Sequence, residues 1–135
     1  MLQPKKTKYR KAFRGKMRGT ATRGTTVVFG EFGLQATSRG WVSSKQIEAA
    51  RKKITFMTKR AGKYWVRVFP HKPITGKPVG VKMGSGKGAI QEYVAVVKPG
   101  MVLFELGGVS AQIAKTAFTK AGHKLAVHTA VIEKE

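Results

Sequence analysis

Positive charge is the feature that most constrains how this chain can fold. Its 135 residues include 27 lysines and arginines against 6 acidic residues, which gives a formal net charge of +21. A compact domain with so much like charge repels itself, so a polyanion is the expected counterweight. Because 41% of the residues are apolar, we still expect one folded body with a core. Nucleic acid is the polyanion that fits best, and an anionic membrane surface is the second candidate.

The sequence argues against disulfides, membrane spans and a secretory signal. It contains no cysteine, which excludes disulfide bonds and thiolate metal sites. No apolar run approaches the roughly 18 residues of a membrane span. The basic N-terminus is not followed by an apolar stretch, so it does not have the form of a secretory signal. We therefore expect a cytoplasmic protein, and we favour this over an organellar transit peptide, because Pro4 and three glycines would interrupt the amphipathic helix.

Residues 1–24 predict a flexible basic arm. The segment contains no acidic residue, so we expect it to stay disordered until phosphates neutralise it. For Tyr9 and Phe13, stacking on bases and docking onto the body are equally open. The basic residues of the arm that we expect to bind RNA are Lys5, Lys6, Lys8, Arg10, Lys11, Arg14, Lys16 and Arg18.

Residues 25–135 predict a single α+β domain, beginning with short strands broken by glycines. A first helix is predicted over 43–62, because Ser43 and Gln46 have the spacing of a capping box and Gly62 supplies a stop. Its predicted apolar stripe consists of Ile47, Ala50, Ile54, Met57 and Ala61. Residues 63–69 predict a strand, and 92–106 predict a hairpin around Pro99-Gly100, a pair suited to a type II turn.

A second helix and a last strand complete the predicted domain. The helix is expected between the cap Ser110 and the stop Gly122, and the strand over 124–132. The buried side of the helix is predicted to contain Ile113, Ala114, Ala117, Phe118 and Ala121. Strands with two inserted helices indicate a mostly antiparallel sheet with both helices packed on one side.

The first helix also carries a basic outer face, relieved only by Glu48. A solvated surface is the ordinary interpretation of such a face, but the scarcity of acid favours phosphate contact. Its basic residues are Lys45, Arg51, Lys52, Lys59 and Arg60.

Residues 70–88 predict a long projecting loop, rich in glycine, in which lysines recur every five residues. A phosphate-binding P-loop is excluded: Val81 stands where its first glycine belongs, Gly88 where its hydroxyl belongs, and a strand follows. The glycines would let the backbone approach folded RNA, and the lysines would match its phosphates. A mobile surface loop with solubilising lysines is the open alternative.

Catalysis finds little support in this sequence. The six glutamates are scattered singly, there is no aspartate, and His71, His123 and His128 lack metal-ligand spacing. We therefore predict a protein that is not an enzyme and has no metal, cofactor or small-molecule substrate. The alternatives are a DNA-binding nucleoid protein without sequence preference and a small nucleotide-dependent enzyme built on the glycine loop.

Several segments, in this order and spacing, resemble one ribosomal family. They are "MLQPKKTKYRK", "FGEFGLQA", "QIEAARKKIT", "YWVRVFPHKPITGKP", "MGSGKG" and "VVKPGMVLFEL". Together they are similar to the bacterial-type large-subunit ribosomal protein sixteen family over nearly the whole chain. The resemblance implies a two-helix α+β body with an N-terminal arm and a long loop.

The resemblance also implies the partners. These are large-subunit ribosomal RNA, neighbouring ribosomal proteins, and transfer RNA in the aminoacyl site and possibly the peptidyl site, all on a cytoplasmic ribosome, with an organellar ribosome less favoured. By position, Lys5 through Arg18 correspond to the arm that threads through ribosomal RNA. Lys82 stands where many relatives have arginine, so a hydroxylation made on that arginine does not carry over. The loop residues that the resemblance directs toward transfer RNA are Lys77, Lys82, Met83, Gly84, Gly86, Lys87 and Gly88.

Overall fold

The structure, a computed structural model, describes residues 2–77, 84 and 86–135. Lys82 and Met83 of the predicted loop lie outside these residues. The elements in chain order are β1 (Phe32–Ala36), β2 (Gly40–Ser43), α1 (Ser44–Thr58), β3 (Lys63–Val66), β4 (Lys72–Gly76), β5 (Ala89–Val97), β6 (Val102–Gly107), α2 (Ala111–Gly122) and β7 (Thr129–Glu133).

The strands form two antiparallel sheets that the helices join. The larger sheet has the order β3-β6-β1-β7 and the smaller one the order β2-β5-β4. The two helices pack against each other, while α1 also contacts β2 and β5, and α2 contacts β1 and β7. The predicted α+β class is confirmed, with the antiparallel strands divided between two sheets rather than gathered in one.

The predicted hairpin over 92–106 is wrong, although its turn forms. Gly100 has a φ of +100°, and the amide of Met101 donates to the carbonyl of Lys98 at 3.2 Å. Ala36, at the end of β1, exchanges backbone hydrogen bonds of 2.8 Å with Gly100 and Met101. After the turn the chain therefore runs beside β1 as β6, while β5 remains paired with β2 and β4.

The first helix begins as predicted and ends earlier. Ser43 Oγ accepts from the amide of Gln46 at 3.2 Å, and Gln46 Oε1 accepts from the amide of Ser43 at 3.1 Å, which confirms the capping box. The helix ends at Thr58 because Lys59 adopts a left-handed conformation with φ of 54°. Gly62 has another role: a Cβ there would lie 2.3 Å from the carbonyl oxygen of Gly107, so only glycine permits this approach.

The predicted buried faces are correct except at their edges. In α1, Thr58 takes the buried place that was predicted for Ala61, which is exposed beyond the end of the helix. In α2, Ile113 is 44% exposed, because the buried face is centred further round the helix. The buried residues of α2 are Ala114, Ala117, Phe118 and Ala121.

Three strand boundaries also differ from the predictions. The strand predicted over 63–69 ends at Val66, although the amide of Arg67 still donates to the carbonyl of Leu103 at 2.9 Å. The last strand begins at Thr129, after the irregular segment that buries Val127. The predicted loop over 70–88 contains β4, which pairs with β5, so the connection between these two strands is 77–88.

A buried carboxylate ties the start of the body to the larger sheet. Glu105 of β6 is fully buried, and its Oε1 accepts from three consecutive amides: Val28 at 3.0 Å, Phe29 at 2.7 Å and Gly30 at 2.8 Å. Its Oε2 lies 3.0 Å from Arg67 Nη1. Buried charge is tolerated only with such pairing, and hydrogen bonds to a charged acceptor are about twice as strong as neutral ones.

Replacing this carboxylate is expected to destabilise the fold strongly. Glu105→Ala leaves three amides and a partly buried guanidinium without their partner, so the free energy of unfolding should fall by about 3–5 kcal/mol. Urea unfolding followed by circular dichroism measures it. The matched control is Glu92→Ala at an exposed position of β5, which should cost no more than about 0.5 kcal/mol. Equal losses in the two variants would contradict the role assigned to Glu105.

Candidate nucleic-acid interface

The arm is fastened to the body through its backbone. Residues 2–24 form no helix or strand, yet Lys87 Nζ donates to the carbonyl of Ala12 at 2.6 Å, and Lys72 Nζ donates to the carbonyl of Arg14. Arg39 Nη1 donates to the carbonyl of Met17 at 2.8 Å. Because the body binds arm carbonyls, most of the basic side chains of the arm stay exposed.

Two further backbone contacts secure the end of the arm. The amide of Ala21 donates to the carbonyl of Pro99 at 2.9 Å, and the amide of Val102 donates to the carbonyl of Gly24 at 2.8 Å. The arm therefore enters the body at the turn between β5 and β6.

Trp41 lies under two cations where the arm crosses the smaller sheet. Lys72 Nζ is 4.9 Å from the centroid of its ring, and the guanidinium carbon of Arg14 is 6.0 Å from it, both within cation–π range. Trp41 pairs with Val96 of β5 and Lys72 pairs with Val94, so these side chains share one sheet face. Since Val42, on the alternate face, belongs to the core, the arm lies against the face turned away from the helices.

The first half of the arm borders an open groove with a volume of about 1110 Å³. Tyr9 and Phe13 are 73% and 91% exposed. Lysines accompany both rings: Lys8 Nζ lies 5.6 Å from the ring of Tyr9, and Lys87 Nζ lies 5.4 Å from the ring of Phe13. Aromatic rings alternating with cations are the arrangement that binds single-stranded nucleic acid by stacking and charge. The lining residues are Pro4, Lys5, Lys6, Thr7, Lys8, Tyr9, Lys11, Ala12, Phe13, Phe69, His71, Lys72 and Pro73.

The outer face of α1 forms a second basic surface. Four of its predicted basic residues are exposed: Lys45, Lys52, Lys59 and Arg60. A groove of about 600 Å³ lies along this face, lined by Arg51, Lys52, Thr55, Phe56, Lys59 and Arg60. Phe56, which no sequence pattern indicated as a surface residue, is 72% exposed on this face, with Lys53 Nζ 5.3 Å from its ring. The left-handed backbone of Lys59 and Arg60, with φ of 54° and 63°, was likewise not indicated by the sequence.

Arg51 differs from the other cations of this face because it is already paired. Its Nε donates to Glu48 Oε1 at 3.2 Å, and its Nη1 donates to the hydroxyl of Tyr64 at 3.3 Å. The hydrogen bond from Arg51 lowers the pKa of Glu48, against the opposing effect of burial. The hydrogen bonds with Glu48 and Tyr64 raise the pKa of Arg51. Arg51 is therefore oriented in advance, and part of its charge is neutralised within the protein.

Of the loop predicted to face transfer RNA, the structure describes residues 77, 84 and 86–88. Lys77 Nζ donates to the carbonyl of Gly84, and Lys11 Nζ of the arm donates to the carbonyl of Lys87 at 3.1 Å. Gly88 lies so close to Gly76 that a Cβ would come within 2.5 Å of its carbonyl oxygen. Gly86 is exposed, and Lys82 and Met83 lie outside the described residues. The base of the loop and the arm therefore form one continuous basic surface.

The structure joins residues that sequence analysis left apart. Lys72 was noted for its spacing but placed in the loop, and Arg39 and Trp41 carried no signal at all. Within residues 2–77, 84 and 86–135, no three His, Cys, Asp or Glu side chains cluster as a metal site would need. None of the helices described there is long and apolar enough to cross a membrane.

An α+β body with two exposed basic surfaces, one along the arm and one on the outer face of α1, has the form typical of a nucleic-acid-binding protein. Residues 4–132 match the family described as ribosomal protein L16p/L10e. The chain is 56% identical, over its whole length, to the large ribosomal subunit protein uL16 of Exiguobacterium sibiricum, of which the match covers 93%. The chain belongs to the ribosomal protein L16p/L10e family, which confirms the predicted family and the predicted location on the ribosome.

The pairing of Glu48 with Arg51 gives a testable pH dependence. Arg51→Gln should raise the pKa of Glu48 back toward its ordinary value of 4.5, measured by NMR titration of the carboxyl carbon. In the unmodified protein the ion pair stabilises the fold fully when the pH is above the ordinary pKa of a glutamate. This stabilisation is lost as the pH falls through the lowered pKa of Glu48. Lys53→Gln is the control and should leave this titration unchanged. An unaltered Glu48 pKa in Arg51→Gln would show that the contact does not persist in solution.

Proposed function

We propose that this chain is a structural component of the large ribosomal subunit that binds the RNA of that subunit. The uL16 relative, named as a large-subunit protein, matches the chain along its full length. In this proposal the arm and the outer face of α1 supply two separate RNA-binding surfaces. The arm residues are Lys5, Lys6, Lys8, Arg10, Lys11, Arg14, Lys16 and Arg18. The residues of the second surface are Lys45, Arg51 and Lys52 on α1 and Lys59 and Arg60 directly after it.

The observation that carries the proposal is the way the arm is attached. Body cations donate to the carbonyls of Ala12, Arg14 and Met17, so the arm is positioned without the use of acidic side chains. Its own cations then remain exposed for an outside partner. Phosphate contacts of this kind position a protein on RNA and supply most of its salt-dependent affinity.

We propose further that the loop faces transfer RNA in the aminoacyl site and also reaches transfer RNA in the peptidyl site. The base of the loop is bonded to the arm at Lys87, so RNA bound along the arm would fix the direction of the loop. Lysines 77, 82 and 87 would supply point charges, and the glycines would allow close backbone approach. In this role the chain carries out no catalysis and needs no cofactor, and its partners are ribosomal RNA, transfer RNA and neighbouring ribosomal proteins.

A DNA-compacting role would use the same charge, but the match to a ribosomal family favours the ribosome. Tagged protein from a lysate should therefore sediment with the large subunit and with assembled ribosomes, and not with the small subunit, in moderately high salt. DNase treatment before sedimentation is the control and should change nothing. Protein at the top of the gradient, or released by DNase, would refute the proposal.

The arm should supply much of the salt dependence of RNA binding. Deletion of residues 2–18 removes eight basic residues, so the slope of log K against log salt should become shallower by as much as about 6. Filter binding to purified large-subunit RNA between about 50 and 200 mM salt measures this slope. Lys82→Gln removes a single cation and should change the slope by less than about 1. A truncated chain that keeps the full slope would exclude the arm as an RNA-binding surface.

A further inference from the structure

A small cavity between the arm and the smaller sheet brings three cations together. Its volume is about 150 Å³, which exceeds the roughly 30 Å³ of one water several times over. Lys72 comes from β4, Arg14 from the arm and Lys87 from the base of the loop. The lining residues are Ala12, Phe13, Arg14, Trp41, Lys72, Pro73, Ile74, Thr75 and Lys87.

The charges around this cavity are unbalanced. The described residues that line it include no acid, and Glu92, which is on the same sheet face opposite Ile74, is not among them. Lys72 and Lys87 each donate one recorded hydrogen bond, to the carbonyls of Arg14 and Ala12. An ammonium group has three N–H donors, so each lysine has capacity for a further acceptor. Three cations held around one partly open cavity repel one another, and an anion between them would relieve this repulsion.

Trp41 supplies a second, independent observation. Its indole Nε1 is buried and has no acceptor among the described residues, although Trp41 lines this cavity. Buried donors are nearly always satisfied in folded proteins, so an unsatisfied one indicates a missing partner. The donor without a partner therefore belongs to a residue whose ring packs beside two of the three cations.

We propose that this cavity is a binding site for a phosphate group, held by Arg14, Lys72 and Lys87 beside the ring of Trp41. A phosphate oxygen accepts hydrogen bonds readily from ammonium and guanidinium donors. Bound there, the group touches the arm, the smaller sheet and the base of the loop at once. It therefore neutralises the repulsion that would otherwise drive the arm off the body, and arm attachment becomes anion-dependent.

Inorganic phosphate and the backbone of RNA present the same chemistry to this site. The assignment of the site to a phosphate group does not depend on the proposed function. Only the further statement that RNA supplies the phosphate on the ribosome rests on it.

The two tryptophans allow a direct test by NMR. The indole N–H signal of Trp41 should shift in a saturable way as inorganic phosphate is added to the full-length protein. The signal of Trp65, which lies on β3 of the larger sheet, should stay in place and serves as an internal control. Chloride at equal ionic strength should not reproduce the shift.

Variants of the lining residues sharpen the test. Lys72→Gln and Lys87→Gln should each weaken the apparent affinity for phosphate about ten-fold, because each removes a charge-assisted hydrogen bond. Lys120→Gln, on the exposed side of α2, is the matched control and should bind phosphate like the unmodified protein. An undisturbed Trp65 signal in each variant verifies that the fold is intact.

Three outcomes would overturn the proposal: an unmoved Trp41 signal, an equal shift with chloride, or equal phosphate affinity in all the variants. Titration with a short oligouridylate then shows whether RNA or free phosphate supplies the bound phosphate group. If it moves the Trp41 signal and competes with inorganic phosphate, RNA supplies the group. If inorganic phosphate alone moves the signal, the site holds the free ion. If the protein binds phosphate but does not sediment with the large subunit, the phosphate site is supported and the proposed ribosomal function is refuted.

Discussion

The buried carboxylate of Glu105 is the interaction on which the arrangement of the molecule depends. One of its oxygens gathers three consecutive amides, and the other faces the guanidinium of Arg67. Arg67 in turn donates to the carbonyl of Thr26 at 2.6 Å. The segment between arm and first strand has no sheet partner of its own, so this side chain satisfies backbone donors that strand pairing would otherwise satisfy. Glu105 is one of only six acidic residues in the chain, and it is fully buried in a structural role.

The arm is attached to the body by a different kind of interaction, in which cations bind neutral acceptors. Where the arm crosses the body, side-chain cations meet backbone carbonyls rather than carboxylates. A carbonyl is a neutral acceptor, so such bonds position the arm while leaving its net charge intact. Carboxylates would have held the arm more firmly, but each one would have cancelled a charge available to a polyanion. The arrangement thus keeps the affinity for an outside partner at the expense of the stability of the free protein.

Sequence reasoning succeeded where the determining contacts are local. The capping box of Ser43 and Gln46 spans three residues, and the turn at Gly100 needs only a positive φ, so both were predictable. It failed where the partner is distant. The pattern of 92–106 predicts two strands and a tight turn, but the choice of β1 as partner for β6 depends on contacts with residues 67 to 74 positions away in the sequence. The hydrophobic alternation holds no information on that choice.

The same limit applies to the candidate sites. Basic residues on the arm and on α1 were found from composition, because their number alone indicates a polyanion. The grouping of Arg14, Lys72 and Lys87 around Trp41 arises only when the arm, β2, β4 and the loop base are brought together. Lys72 in particular was assigned to a loop, since the short strand β4 itself contains Pro73 and Gly76, residue types that indicate irregular structure.

The sequence distance spanned by Glu105 has a consequence for synthesis. Its amide partners are separated from it by 75 to 77 residues, and β1 pairs with β6 and β7 from the far end of the chain. Contacts of this range form slowly, because long loops must close before any of them is made. During translation the arm and β1 emerge first and wait for residues 102–107. Until residues 102–107 have emerged, the basic arm has no folded domain beside it, so a nearby polyanion can reach it on the nascent chain.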